Sequence, residues 1–113
     1  MSKQIVNYFQ RLFRKWQYDE VAAIRVLFDR EQSLFNRGCA AESLYTGQTP
    51  TATAALLKLV VDETEHPSLR EEAAGTLGSI YDVIGLDHQA LGKIPSPYRE
   101  EVLAGISRKV VSE

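Results

Sequence analysis

Apolar residues recur at spacings of three and four along most of the chain, which is the period of an amphipathic helix. Ile5, Phe9, Leu12, Phe13 and Trp16 form the first such stripe. Lys3, Arg11, Arg14 and Lys15 accompany it, with no acid before Asp19. A terminal helix packed on the domain with solvated cations is the simplest reading. A basic helix lying on a membrane or in a partner's groove is the alternative. A second helix is expected from Asp19 to about Asp29, with Asp19 as its cap and Val21, Ile24, Leu27 and Phe28 inward. A third runs from near Ser33 to Gly47, with Gly38 inside it. Thr49-Pro50 opens the next, because proline fits the first helical position. Its segment Ala52 to Val61 is apolar nearly all round, which predicts a central place.

Ser68 followed by Glu71 has the capping-box pattern, so a helix from about Ser68 to Ile84 is expected, ended by Gly85. Leu69, Ala73, Leu77, Ile80, Tyr81 and Ile84 would face inward. Gly85, Gly92, Pro95 and Pro97 mark a long connection holding at most one short helical turn. Ser96-Pro97 starts a last helix with Val102, Leu103, Ile106 and Val110 inward. No strand pattern competes, so the class is all-α, with about five to six helices.

Composition narrows the class further. The chain has 113 residues, 44% hydrophobic and 25% charged, which suits one globular domain. Its net charge of -2 disfavours binding to nucleic acid through phosphates, which requires clustered cations. The one cysteine, Cys39, leaves no internal disulfide framework and fits a reducing compartment. The longest apolar run, Ala54 to Val61, is interrupted by Lys58 and is too short to span a bilayer. Met1-Ser2-Lys3-Gln4 leads into polar and aromatic residues, unlike a signal peptide. A soluble cytoplasmic chain is expected, with no membrane partner.

A shift of 33 residues brings the chain onto itself. Ala22, Arg25, Val26, Leu27, Phe28 and Asp29 fall on Ala55, Lys58, Leu59, Val60, Val61 and Asp62. Arg37, Ala40, Ala41, Ser43 and Leu44 fall on Arg70, Ala73, Ala74, Thr76 and Leu77. A weaker third copy, at a shift of 29, places Arg70-Glu71-Glu72 on Arg99-Glu100-Glu101 and Leu77 on Ile106. A repeated helix pair of this length is the mark of an α-solenoid, in which each pair buries its apolar face on a neighbour. The expected organisation is a single domain. Residues 1–18 form an amphipathic helix, 19–47 and 49–85 are the two repeats, and 86–113 are a connection and a capping helix.

The stretch from Asp62 to Ile80 resembles a short HEAT-like repeat, closest to those of deoxyhypusine hydroxylase and of the phycobilisome lyase type. The likeness extends less closely over residues 19–85. It implies a scaffold of stacked helical hairpins. The hydroxylase family holds iron through His-Glu pairs at the starts of its second-row helices. The matching positions here are Gly38-Cys39, Glu71-Glu72 and Glu100-Glu101, with every histidine missing. The resemblance therefore carries the scaffold without the iron site. His66 precedes Pro67 in a turn and His88 lies in the Gly/Pro-rich connection, neither beside a nucleophile. Cys39, between Gly38 and Ala40, reads as a small packed residue. No catalytic residue, cofactor or metal is expected.

A surface for a partner is the remaining candidate. Glu71, Gly75, Gly78 and Asp82 are spaced by four, three and four, opposite the apolar stripe. The glycines read equally well as internal packing or as open partner surface. Shifting by 33 gives the neighbouring stripe Gly38, Glu42 and Tyr45, and Glu100 and Ala104 would extend it. Asp62, Glu63, Glu65, Glu71, Glu72 and Asp82 cluster against Arg70 alone. Such a run is either a solvated face or a docking surface for a basic protein. The partner-binding candidates are Glu42, Tyr45, Glu63, Glu65, Glu71, Gly75, Gly78, Asp82 and Glu100. The expected function is a non-catalytic protein-binding module. Its sharper form is an immunity protein that neutralises a bacterial toxin, such as a nuclease of contact-dependent growth inhibition. The alternatives are a lyase-related or cofactor-handling repeat protein, or a scaffold.

Overall fold

The computed structural model describes residues 18–111, with side chains described through residue 106. The N-terminal stripe of residues 1–17 and the inward position of Val110 lie outside these residues. Six α-helices and one 3-10 turn make up the described residues, and no strand occurs among them. They are α1 Glu20–Leu27, α2 Leu34–Ser43, α3 Pro50–Val61, α4 Pro67–Ile84, α5 His88–Gly92 and α6 Tyr98–Val111.

Side chains close the exposed N–H groups at most helix starts. Asp19 accepts from the Ala22 N–H, Ser33 from Asn36, Thr49 from Ala52 and Asp87 from Ala90. Helix α4 departs from the capping-box expectation. It starts at Pro67, and His66 is the cap, its Nδ1 accepting from the Ser68 N–H at 3.1 Å. Proline cannot donate, so the first free amide that needs an acceptor belongs to Ser68. At the other end Gly85 terminates α4 at φ +106°, a conformation that suits glycine. Helix α2 tightens into the 3-10 turn Leu44–Thr46 before Gly47.

Helices α1 and α2 pack as one hairpin and α3 and α4 as another; α2 also packs on α4, and α4 on α6. Leu27, Leu44, Leu56, Leu59, Val60, Leu77, Ile80, Ile94 and Val102 are the large side chains fully buried between them. Each contributes about 1.5–3 kcal/mol by leaving water. Several positions read as inward are instead exposed. Val21 is 66% exposed, and Ile84 and Leu103 are also exposed. Helix α3 is likewise not buried all round, since Thr51, Ala54 and Lys58 face solvent.

The 33-residue period reappears as a repeated contact. Arg37 Nε donates to the Leu27 carbonyl at 2.9 Å, and Arg70 Nε to the Val60 carbonyl at 2.8 Å. Both arginines are buried, and both carbonyls belong to the last turn of the preceding helix, where no intrahelical donor remains. Each arginine then reaches the chain 28 residues ahead. Arg37 donates to Glu65 at 2.6 Å, and Arg70 lies over the Tyr98 ring at 4.2 Å. Arg99, on which the weaker third copy places Arg70, donates its Nε to the Ile94 carbonyl at 2.9 Å, five residues back rather than ten.

The α4–α6 contact rests on glycines. A Cβ at Gly78 would collide with the Val102 carbonyl oxygen, and one at Gly105 would lie 3.0 Å from the Gly75 carbonyl oxygen and 3.1 Å from Gly78 Cα. Gly78→Ala should therefore lower stability by at least about 2 kcal/mol, because backbone rather than a flexible side chain must yield. Gly92→Ala, with nothing within 4 Å of its Cβ, should be neutral or raise stability by up to about 1 kcal/mol. Denaturant titration of the two variants checks the contrast.

Candidate partner-binding face

The acids expected to form one surface separate into two groups. Glu65 is removed from the surface altogether. Its side chain is 3% exposed and it accepts from Arg37, while Arg30 lies 3.4 Å away. A carboxylate in the interior requires such partners, so Glu65 is structural rather than available to another protein. Asp62 is held by Arg30 at 3.2 Å and by the hydroxyl and N–H of Thr64. Those Thr64 bonds, with Arg30 adding to them, keep the Asp62 carboxyl below the usual carboxylate range. Arg70, which the sequence sets against the acidic run, is buried against the Tyr98 ring, and its charge adds a small part to the lowering at Asp62.

Gly78 also departs from the surface reading. It is buried beneath Val102, and Gly75 is half-buried with its carbonyl under Gly105. Gly78 serves the close approach of α6, and the Gly75 carbonyl lies at the same crossing. Asp82, lower on the same stripe, is half-buried and engaged within the chain. Glu63 is exposed in the α3–α4 loop, and Tyr45 is exposed in the 3-10 turn.

The remaining acids lie along α2, α4 and α6. Glu42, Glu71, Glu72 and Glu100 are all exposed. Glu72 was not among the site residues chosen from the sequence. It stands beside Gly38 of α2, whose Cβ would be 4.0 Å from Glu72 Cγ. Partial burial raises its pKa, and the charges of Glu42 and Glu71 raise it further. Thus α2 and α4 bring three carboxylates close enough to repel one another. The period could have signalled this, because Glu42 falls on Gly75 and Glu72 lies one turn before it. Glu100 accepts from the Ser96 hydroxyl at 3.0 Å.

A cleft of about 420 Å³ opens between the starts of α4 and α6. His66, Pro67, Ser68, Glu71, Pro97, Tyr98 and Glu101 line it. His66 Nδ1 is occupied by the Ser68 N–H and lies 2.9 Å from the Ser68 hydroxyl, so the ring serves the helix cap. Cys39 is exposed rather than packed. Among the described residues no group of three or more His, Cys, Asp or Glu side chains is placed to hold a metal ion, and no helix is long and apolar enough to cross a membrane. Comparison with protein-family models, curated proteins and solved structures finds no match to this chain.

The Glu72 environment has a pH signature. A glutamate whose pKa is raised on folding stabilises the fold while protonated, and that contribution is lost as pH rises through the folded-state pKa. Glu72→Gln should therefore raise the melting temperature at about pH 7, and the gain should shrink towards zero as the pH falls to about 4 and below. Thermal unfolding of both proteins across this range checks it; a gain independent of pH would contradict the assignment.

Proposed function

We propose that this chain is a non-catalytic binding module of HEAT-like helical hairpins that docks a basic protein on the face formed by α2, α4 and α6. The observation that carries this reading is the unequal treatment of its acids. Asp62 and Glu65 are matched by Arg30 and Arg37, whereas Glu42, Glu71 and Glu72 crowd together on an exposed face. Crowded surface carboxylates lose stability through mutual repulsion, and a cationic partner would relieve it. The recurring arginine-to-carbonyl bond supports the stacked-hairpin, solenoid reading of the scaffold. In its specific form the module is a cytoplasmic immunity protein that covers the cleft of a basic bacterial toxin, such as a nuclease.

Charge reversal tests the docking face. With a basic toxin domain encoded beside this gene as the partner, Glu42→Lys combined with Glu71→Lys should slow association by about tenfold at low salt. The difference should shrink as salt is added, while the melting temperature stays within a few degrees of the parent. Equal loss of binding and folding would make these residues structural. Failure of the parent protein to bind or protect against that toxin would remove the immunity reading.

A further inference from the structure

We infer that the basic stretch of residues 3–16 lies along the exposed face of α2 and occupies one side of the docking face until a basic partner displaces it. The competition with a partner rests on the docking proposal; the contact within the chain does not. The face is unpartnered among the described residues. Phe35, Cys39, Glu42 and Thr46 follow one another by four, three and four residues, so they share one line, and all four are exposed. Helix α2 packs on α1 and α4 through its other sides, where Arg37, Ala40, Ala41 and Leu44 are buried. Phe35 is 77% exposed, more than any other large apolar side chain among the described residues. An aromatic ring left in water beside a carboxylate suits a segment that carries both apolar and cationic groups.

Residues 3–16 have that composition. Ile5, Phe9, Leu12, Phe13 and Trp16 supply apolar groups, and Lys3, Arg11, Arg14 and Lys15 supply charge. Residues 1–17 hold four of the 13 lysines and arginines and none of the 15 acids, so their side chains carry +4 and those of the rest of the chain -6. The net charge of -2 is thus the difference between two opposed parts, and such parts attract when they are joined.

The point of attachment brings them together. The Tyr18 hydroxyl donates to Glu20 at 2.6 Å, and the Thr49 hydroxyl donates to the same oxygen at 2.8 Å. A Cβ at Gly47 would collide with the Tyr18 hydroxyl, so Tyr18 is held beside the turn that ends α2. Glu42 precedes Gly47 by five residues, roughly 8 Å along a helix axis. From Gln17 back to Lys3 the chain spans about 20 Å even at the short rise of an α-helix, whereas Phe35 to Thr46 covers about 16 Å. The segment is therefore long enough to follow the whole face, and Arg14 and Lys15 start at the end nearest Glu42. Glu72, against Gly38, stands at the edge of the same face. Tethering gives the segment an effective concentration on the order of millimolar, which favours it over a second copy of the chain.

A nitroxide spin label on Cys39, the one cysteine, tests the inference in the full-length, isotope-labelled protein. The oxidised label should erase the amide signals of residues 5–12, and reducing the label should restore them. Arg11→Gln, Arg14→Gln and Lys15→Gln together should restore them with the label still oxidised, and Phe35→Ser should do so in part. With the label reduced, unchanged amide signals of Leu77 and Ile80 report that each variant is folded. Signals of residues 5–12 that keep full intensity beside the oxidised label, or that stay erased in the triple variant, would overturn the inference. Loss of those signals from an isotope-labelled Cys39→Ser chain mixed with a spin-labelled, unenriched chain would overturn it too, by making a second copy the occupant. Addition of the basic toxin domain should release residues 5–12 and restore their signals. A toxin domain that binds while the signals stay erased would overturn the competition. One that does not bind would remove the docking reading and leave the contact along α2 to be judged by the label.

Discussion

A helix that ends inside a protein leaves carbonyl groups that neither water nor the next turn can satisfy. In this fold two such ends, at Leu27 and Val60, are closed by arginines ten residues further along, Arg37 and Arg70. The guanidinium is suited to the task because it donates in several directions at once. Its Nε closes the carbonyl behind, and the rest of the group remains free to meet the chain ahead. Each arginine thus ties its own helix to the end of the helix before it and to a segment 28 residues ahead. Burying this charge has its own penalty, and the two junctions meet it differently. Arg37 is neutralised by Glu65, whereas Arg70 is shielded by the Tyr98 ring.

The surface charge follows from that internal arrangement. Arg37 and Arg70 are buried in the junctions, and the exposed Arg30 is spent on Asp62 and Thr64, so none of the three faces Glu42, Glu71 or Glu72. A net charge of -2 is therefore a poor guide to what a partner meets. The exposed row on α2, α4 and α6 is more acidic than the total implies; partial burial raises the pKa of Glu72, and the charges of Glu42 and Glu71 raise it further. The glycines of α4 and α6 contribute indirectly. By letting the two backbones approach, Gly78 and Gly105 bring the starts of both helices together around the cleft.

Much of the local structure was legible because it depends on neighbours in sequence. Asp19 caps its helix as expected, Ser33 and Thr49 cap helices that start where the sequence places them, and Gly85 ends α4. The exception, His66 in place of Ser68, arises because Pro67 moves the helix start forward by one residue. What depends on tertiary contact was harder to read. Helical spacing finds a stripe but does not say how far neighbours cover it, so Val21, Ile84 and Leu103 were assigned inward although they are exposed. Glu65 looks like any surface acid until Arg37 is brought to it across 28 residues. The spacing of Gly75 and Gly78 could not separate a partner face from a helix crossing; the Val102 carbonyl decides for packing at Gly78. The 33-residue shift had aligned Arg37 with Arg70 before their shared bond was visible, so the period held more structural information than composition did.

The central claim is that buried arginine contacts, rather than surface ion pairs, fasten consecutive hairpins. A double-mutant cycle with Arg37→Met and Glu65→Leu, set beside one with Arg30→Met and Asp62→Leu, tests it most directly by chemical denaturation. Each buried single variant should lose about 3–5 kcal/mol, since it strands the other charge. The double variant should recover much of that loss, giving a coupling of at least about 2 kcal/mol. The exposed Arg30–Asp62 pair should couple by less than about 1 kcal/mol. Equal, small coupling in both cycles would contradict the account.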